Sequence, residues 1–372
     1  MSYAIREVLE FVKQNDVKFI RLAFCDIFGT QKNISIMPDE LERAFKEGVS
    51  FDASAIKGFV NSDLLLFPDP STLNVLPWRP QQGRVIRFFC DIKTPEKKEF
   101  IYDSRNILRN IIKRCNHKGY VPYIGTECEF YLFKTDENGE ATYITHDKGG
   151  YFDIAPIDKG ENIRREICLC LEEMYIKPET SHHEQGPGQN EIDFKYSDSL
   201  NAADNFLTFK SMVKAIAGRA GLYASFMPKP LSNKSGNGLH INISLNKNGS
   251  NIFKNEGEKD SEAESFIAGV LSKTREITAF LNPIVNSYER FGKFEAPKYI
   301  SWSHQNRSQL IRIPAATGEK TRMELRSPDS AINPYLAFSL ILAAGVYGIE
   351  NSLTLPKEIN ENLYILGEEK LK

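Results

Sequence analysis

Four segments that read as β-strands carry charge on one face, and this constrains the fold more than any other feature of the chain. In GTECEF at 125–130, Glu127 and Glu129 stand two residues apart, so the strand period turns both to one side. Two such carboxylates repel unless a proton or a cation lies between them. In HHEQGPGQNE at 182–191, a Gly-Pro-Gly turn separates Glu184 from Glu191 and resets the alternation, which lets both face one cavity. In GLHINIS at 238–244, His240, Asn242 and Ser244 oppose Leu239, Ile241 and Ile243. In RMELR at 322–326, the charged residues Arg322, Glu324 and Arg326 oppose Met323 and Leu325.

Taken singly, each segment reads as the wet side of an amphipathic strand. Together they do not, because a solvated face mixes lysine, threonine and serine with glutamate. Here one surface collects Glu127, Glu129, Glu184, Glu191 and Glu324 with His240, and no lysine. Oxygen-rich sets with a single imidazole suit Mg²⁺ or Mn²⁺ rather than Zn²⁺, and this set suffices for about two or three ions. A second cluster is cationic: Arg290, Arg307, Arg312, Arg322 and Arg326. A lone arginine is usually a surface ion-pair partner. This density, beside a candidate metal ligand, reads as a clamp for a polyanion. Metal plus arginine clamp is the equipment of phosphoryl transfer. Neither a Walker A sequence nor a Rossmann glycine fingerprint is present.

The rest of the chain frames this site. Its 372 residues suggest two domains. Residues 2–14 read as a helix, 17–25 and 83–92 as strands, with a proline-rich loop region (Pro68, Pro70, Pro77, Pro80) between them. A charged link, KTPEKKE at 93–99, ends this small α+β unit. A helix follows near 103–118. Strands are then expected near 124–133, 189–196, 238–246 and 320–327, and helices near 160–174, 200–221, 261–281 and 333–350. The boundary falls near residue 100. A formal charge of −2 argues against a nucleic-acid surface. The apolar run 334–349 is too short for a membrane span and reads as a buried helix started by Asn333 and Pro334. The first 16 residues lack the apolar core of a signal peptide. The six scattered cysteines form no C-x-x-C pair and read as reduced thiols of a cytoplasmic protein.

These segments together resemble the glutamine synthetase family, type I, the bacterial and archaeal kind. FDASAIKGF at 51–59, ECEF, SHHEQGPGQNEIDF, MPKP, GNGLH, NSYER, FEAP, NRSQLIRIP, MELR and INPYLA occur in the family's order and spacing. The resemblance implies an α+β chain: a β-grasp domain over 1–100 and a catalytic domain over 101–372, a curved antiparallel sheet with flanking helices. It implies ATP-dependent joining of L-glutamate and ammonia through a γ-glutamyl phosphate, with two or three Mg²⁺ or Mn²⁺ ions per site. It implies a homo-oligomer, a hexameric ring whose active sites lie between neighbouring subunits.

By the same resemblance, Glu129, Glu184 and Glu191 ligate the metal nearer glutamate, and Glu127, His240 and Glu324 the metal on the ATP phosphates. Arg307 and Arg312 contact phosphate, and Ser244 and Arg322 lie near the nucleotide. Arg290 and Arg326 hold the glutamate carboxylates, and the loop at Gly236 its amino end. Asp52 of a neighbouring subunit binds ammonium, and Glu295 sits on a flap that keeps the acyl phosphate dry. The chain departs from the pattern at Ala53, Ala55 and Ser235, and its flap before Glu295 is one residue short. Family chains usually continue for several dozen residues past the point matching Lys372, which leaves ring stacking into a dodecamer open. Tyr364 falls where some members are adenylylated, but that modification is not expected from a tyrosine alone. Two other readings stand beside ammonia ligation: γ-glutamyl transfer to a larger amine, such as a polyamine or ethanolamine, and a non-catalytic structural or regulatory role.

Overall fold

The computed structural model describes residues 5–56, 59, 63–79, 82–254 and 261–365. Residues 2–4 of the expected first helix, Lys57 and Gly58 of the Asp52 segment, Pro80 and Lys372 lie outside the described residues. The N-terminal part runs α1 (Ile5–Gln14), β1 (Val17–Cys25), β2 (Gln31–Ile36), α2 (Leu41–Glu47), β3 (Val49–Asp52), β4 (Asp63–Pro68), β5 (Asn74–Val75) and β6 (Arg84–Lys93). Its sheet has the order β2-β1-β6-β4-β3, with β5 also against β6. The central β1–β6 pair is parallel.

The larger part runs α3 (Ser104–His117), β7 (Tyr120–Thr135), β8 (Ala141–Thr145), α4 (Glu161–Glu173), β9 (Pro178–His183), β10 (Gln189–Asp198), α5 (Ser199–Arg219) and β11 (Leu222–Ser225). It continues through β12 (Leu239–Lys247), β13 (Ser250–Asn251), α6 (Glu262–Leu281), β14 (Trp302–His304), β15 (Ile311–Ile313), β16 (Met323–Leu325) and α7 (Pro334–Glu350). Ten strands form a sheet ordered β14-β15-β16-β12-β7-β10-β9, with β8 and β11 against β7 and β13 against β12. Helices α5, α6 and α7 pack their apolar residues, including Phe206, Phe209, Phe266 and Phe338, into one core beneath this sheet.

Local chemistry explains the helix ends. Asn333 accepts the backbone N–H groups of Tyr335 and Leu336, and Pro334 opens α7 with no N–H to satisfy. The apolar run is a packed helix, and its glycines are the reason it packs. A Cβ at Gly348 would lie 2.0 Å from the Ser265 carbonyl, and one at Gly345 would meet the Phe266 ring. Among the described residues, no helix is long and apolar enough to cross a membrane.

The region between β1 and β6 is more ordered than its prolines imply, because Pro68 ends β4 rather than interrupting it. The short strands β11, β14 and β15 also escape sequence reading, since three or four residues are too few to show a period.

A buried arginine ties the two parts together. Arg105, near the start of α3, pairs at 3.0 Å with Asp69, 2.8 Å with Asp91 and 2.9 Å with Asp204. Asp91 is on β6 of the small sheet, Asp69 directly follows β4, and Asp204 lies on α5. Tyr335 of α7 donates to the same Asp204 at 2.5 Å. Removing the cation leaves three carboxylates facing one another, which costs about 3–5 kcal/mol. Arg105→Leu is therefore expected to lower the denaturation midpoint strongly in urea titrations. A variant as stable as the parent would show that the cluster does not hold the two parts together.

Candidate active site and metal centre

The central strand β7 sets the site. Glu127 pairs across the ladder with Asp193 of β10 on one side and His240 of β12 on the other. One step along, Glu129 pairs with Glu191. One step the other way, Asn242 pairs with Glu324 of β16, which pairs with Arg312 of β15. The charged side chains therefore form rows across four adjacent strands, because each strand keeps its apolar residues for the core. The Gly-Pro-Gly turn brings Glu184 back beside Glu191. Gly186 is required there, since a Cβ would sit 1.9 Å from the Tyr131 hydroxyl, and Gly188 takes a φ of +70°.

The result is a cavity lined by Glu127, Glu129, Glu184, Glu191, His240, Gly236, Arg290, Glu295, Arg307 and Arg326. Glu127, His240 and Glu324 bring ligand atoms within 4.8 Å of one another. So do His182, Glu184 and Glu191, and so do Glu127, Glu191 and Asp193. His240 Nδ1 lies 3.1 Å from Glu127 and 3.6 Å from Glu324.

Electrostatics separate these acids. Burial raises Glu129 to about 7, aided by the charge of Glu184. Burial and the charges of Asp193, Glu129 and Glu127 push Glu191 far above the carboxylate range. Burial and Glu127 raise Asp193 to about 6. Burial would also raise Glu127, but hydrogen bonds from His240 and Asn242 bring it down to about 2. Glu184 is held low against its burial by His182 and the Gln185 N–H. Glu324 is fully buried between Arg312 and Arg326, the latter at 2.6 Å.

The orientations are fixed from behind. Glu129 Oε2 accepts from the Gly238 N–H and the Gln189 side chain, both at 2.9 Å. Gln189 also donates to the Gly236 carbonyl. Arg290 donates to the carbonyls of Ser327 and Pro328. A Cβ at Gly238 would lie 3.2 Å from Glu129 Oε1 and from His240 Nε2, so only glycine leaves the space between them open. A dense, oxygen-rich set with raised acids and a glycine-lined gap suits a hard divalent cation.

The glutamine synthetase catalytic-domain family matches residues 101–372, and the glutamine synthetase β-grasp family matches 16–95. The chain belongs to the glutamine synthetase family. It is 49% identical over its whole length to a protein named glutamine synthetase from Clostridium saccharobutylicum, covering 85% of that relative. It is 48% identical over 98% of its length to one from Methanosarcina mazei, covering 83% of that protein. Its fold matches the Plasmodium falciparum glutamine synthetase structure with a TM-score of 0.88 at 29% identity, over 97% of this chain and 79% of that one.

Against the family's pattern, the structure gathers most of the expected residues and leaves five outside the cavity lining: Glu324 and Arg312, which pair with each other at its edge, and Ser244, Arg322 and Asp52. Ser244 lies farther along β12, and Arg322 donates to Asn242 at 2.9 Å on the same face. Asp52 is exposed at the end of β3, where it accepts from the Ser54 N–H and hydroxyl and does not line the cavity of its own chain. Glu295 reaches the cavity, accepting from Gln185 at 3.3 Å and lying 3.9 Å from Arg326.

One expectation is corrected: the face is not free of lysine, because Lys293 on the flap turn lines the cavity. The site also holds Asp193, His182, Gln189 and Asn237, beyond the residues expected from the sequence. Asp193 sits two residues beyond Glu191 on the same strand face, so strand period carried the signal for it. The uncharged pair Gln189 and Asn237 lies in GQN and GNG runs whose hydrogen bonds no period reveals.

The raised acids predict a pH-dependent metal effect. Glu129 and Asp193 have folded values above those of an unfolded chain, so the metal-free fold loses stability from them as pH rises from about 4 to 7. A divalent cation favours their ionised forms. The melting temperature should therefore rise on adding Mg²⁺ by more at pH 7.5 than at pH 5. An equal shift at both values would remove the acids from the metal site.

Proposed function

We propose that the chain joins L-glutamate to ammonia at the expense of ATP, through a γ-glutamyl phosphate, and that it does so in the cavity between the carboxylate rows and the arginines. The observation that carries this reading is the convergence of Glu127, Glu129, Glu184, Glu191 and His240 on one cavity with Arg290, Arg307 and Arg326, and the approach of Glu324 to Glu127 and His240. Whole-length similarity to proteins named glutamine synthetase supports it. All six ligand positions are occupied by ligand residues, which argues against a non-catalytic relative.

Glu129, Glu184 and Glu191 would hold one ion, and Glu127, His240 and Glu324 another. Bound Mg²⁺ or Mn²⁺ supplies charge neutralisation to the ATP phosphates. The protein does the rest. Arg290 and Arg326 receive the carboxylates of glutamate, and Gly236 lets its amino end approach the backbone. The γ-carboxylate attacks the terminal phosphorus of ATP and ADP leaves. Arg307 and Arg312 stabilise the charge on the moving phosphoryl group. Ser244 and Arg322 hold the nucleotide farther along the sheet. Ammonia then attacks the acyl carbon and phosphate departs, while Glu295 shields the mixed anhydride from water.

Asp52 is exposed and outside the cavity of its own chain, which supports a homo-oligomeric ring, a hexamer, in which it enters a neighbour's site and takes the ammonium proton. A carboxylate at this point favours ammonia over a larger amine. The division of labour falls near residue 100, with a β-grasp part before it and a catalytic part after it. Six free cysteines fit the reducing cytoplasm.

Coupled ATP hydrolysis with glutamate and a panel of amines tests this reading. Turnover with ammonia is expected, and turnover only with a larger amine would overturn it. Glu127→Ala or His240→Ala is expected to abolish turnover, at least 10³-fold by the scale of lost charge stabilisation. Full activity in either variant would contradict the metal assignment. Asp52→Ala should raise KM for ammonia more than KM for ATP, and unchanged ammonia kinetics would remove its role.

A further inference from the structure

A separate cavity of about 670 Å³ lies where the loop after β1 meets α5 and β11. This is the size of a small-molecule site. Its lining includes Phe28, Gln31, Lys210, Lys214, Phe226 and Ser330. No aspartate or glutamate occurs among the described residues that line it.

Lys210 and Lys214 are one helical turn apart on α5, so both ammonium groups leave the helix on one side. Their Nζ atoms lie 5.6 and 5.9 Å from the centre of the Phe226 ring. Lys210 donates one hydrogen bond, to the Ser330 carbonyl at 2.6 Å. An ammonium has three N–H groups, and neither lysine pairs with a carboxylate among the described residues. Burial and the nearby Lys214 pull Lys210 down to about 8, the mark of a cation short of counter-charge. Two cations without a counter-ion, set in an aromatic wall, are complementary to an anion that carries an apolar body.

We propose that this cavity is a second binding site, which takes a small organic anion with its oxyanion head between Lys210 and Lys214 and its aromatic body against Phe28 and Phe226. The site touches the catalytic centre from behind. The Ser330 hydroxyl donates toward the carbonyls of Glu129 and Gly238, at 3.2 and 3.3 Å. The carbonyls of Ser225 and Met227, also in the cavity wall, accept from Asn237 beside Gly236. An occupant that draws Lys210 off Ser330 therefore shifts the backbone that carries Glu129 and the Gly236 loop. This coupling rests on the proposed function, whereas the binding does not.

The probe is 8-anilinonaphthalene-1-sulfonate, an aromatic oxyanion, titrated by fluorescence into the full chain. One site per chain is expected. Lys214→Met, at the cavity mouth, and the double variant Lys210→Met/Lys214→Met should weaken it at least tenfold, with Lys113→Met, at an exposed position of α3, unchanged. The neutral analogue N-phenyl-1-naphthylamine should also bind at least tenfold more weakly. Equal affinity in the parent and Lys214→Met, or equal affinity for the neutral analogue, would overturn the site. Saturating probe is expected to shift KM for glutamate at least twofold in the parent and not in the double variant. An unmoved KM in the parent would overturn the coupling. Loss of ligase activity without the probe would instead count against the proposed function, and the titration would still read.

Discussion

Mutual repulsion among carboxylates held on neighbouring strands is the constraint on which the rest of this structure depends. Glu127, Glu129, Glu191 and Asp193 face one another across adjacent strands, and Glu184 is folded back onto them by a turn. No arrangement of these residues alone is comfortable, as the raised values of Glu129, Glu191 and Asp193 show. A fold that keeps such a set must either supply protons or admit cations. The carboxylates of Glu127 and Glu184 are held ionised by His240, Asn242 and His182, which leaves cations as the remedy at neutral pH.

Holding that tension requires a stiff frame. The ladder pairings fix the backbone, and the glycines at 186, 188 and 238 admit approaches that any side chain would block. Beneath the acids, Asp147 and His183 form a buried pair at 2.9 Å, and His183 Nδ1 lies 2.7 Å from the Glu184 carbonyl. The turn bearing Glu184 is thus anchored at its base. Arginines form the far wall. Arg312 and Arg326 are paired with Glu324, so their charge is placed before any polyanion arrives and little reorganisation is left for the reaction.

Much of this was legible in the sequence, and the reasons differ by element. Long helices and the strands β7, β10 and β12 announce themselves through sustained apolar periods. The site residues on those strands were legible because charge broke an otherwise regular pattern at Glu127, Glu129 and His240. Where the pattern was too short, as in β14 and β15, only pairing with neighbours creates the strand. Supporting residues such as Gln189, at the start of β10, and Asn237, in the loop before β12, are uncharged and act through hydrogen bonds to groups distant in sequence. Arg105 was invisible for the same reason, because its partners lie 14 to 99 residues away. Lys293 entered the site by a turn whose path no local pattern fixes.

Calorimetric titration of the metal-free chain with Mn²⁺ near pH 6.5, in two buffers of different ionisation enthalpy, tests the central claim most directly. Protonated acids in a site that takes cations must give up protons as the ion binds. The account predicts proton release that disappears, together with tight binding, when Glu129 and Glu191 are both replaced by glutamine. Binding with no proton release, or binding that survives that double replacement, would contradict it.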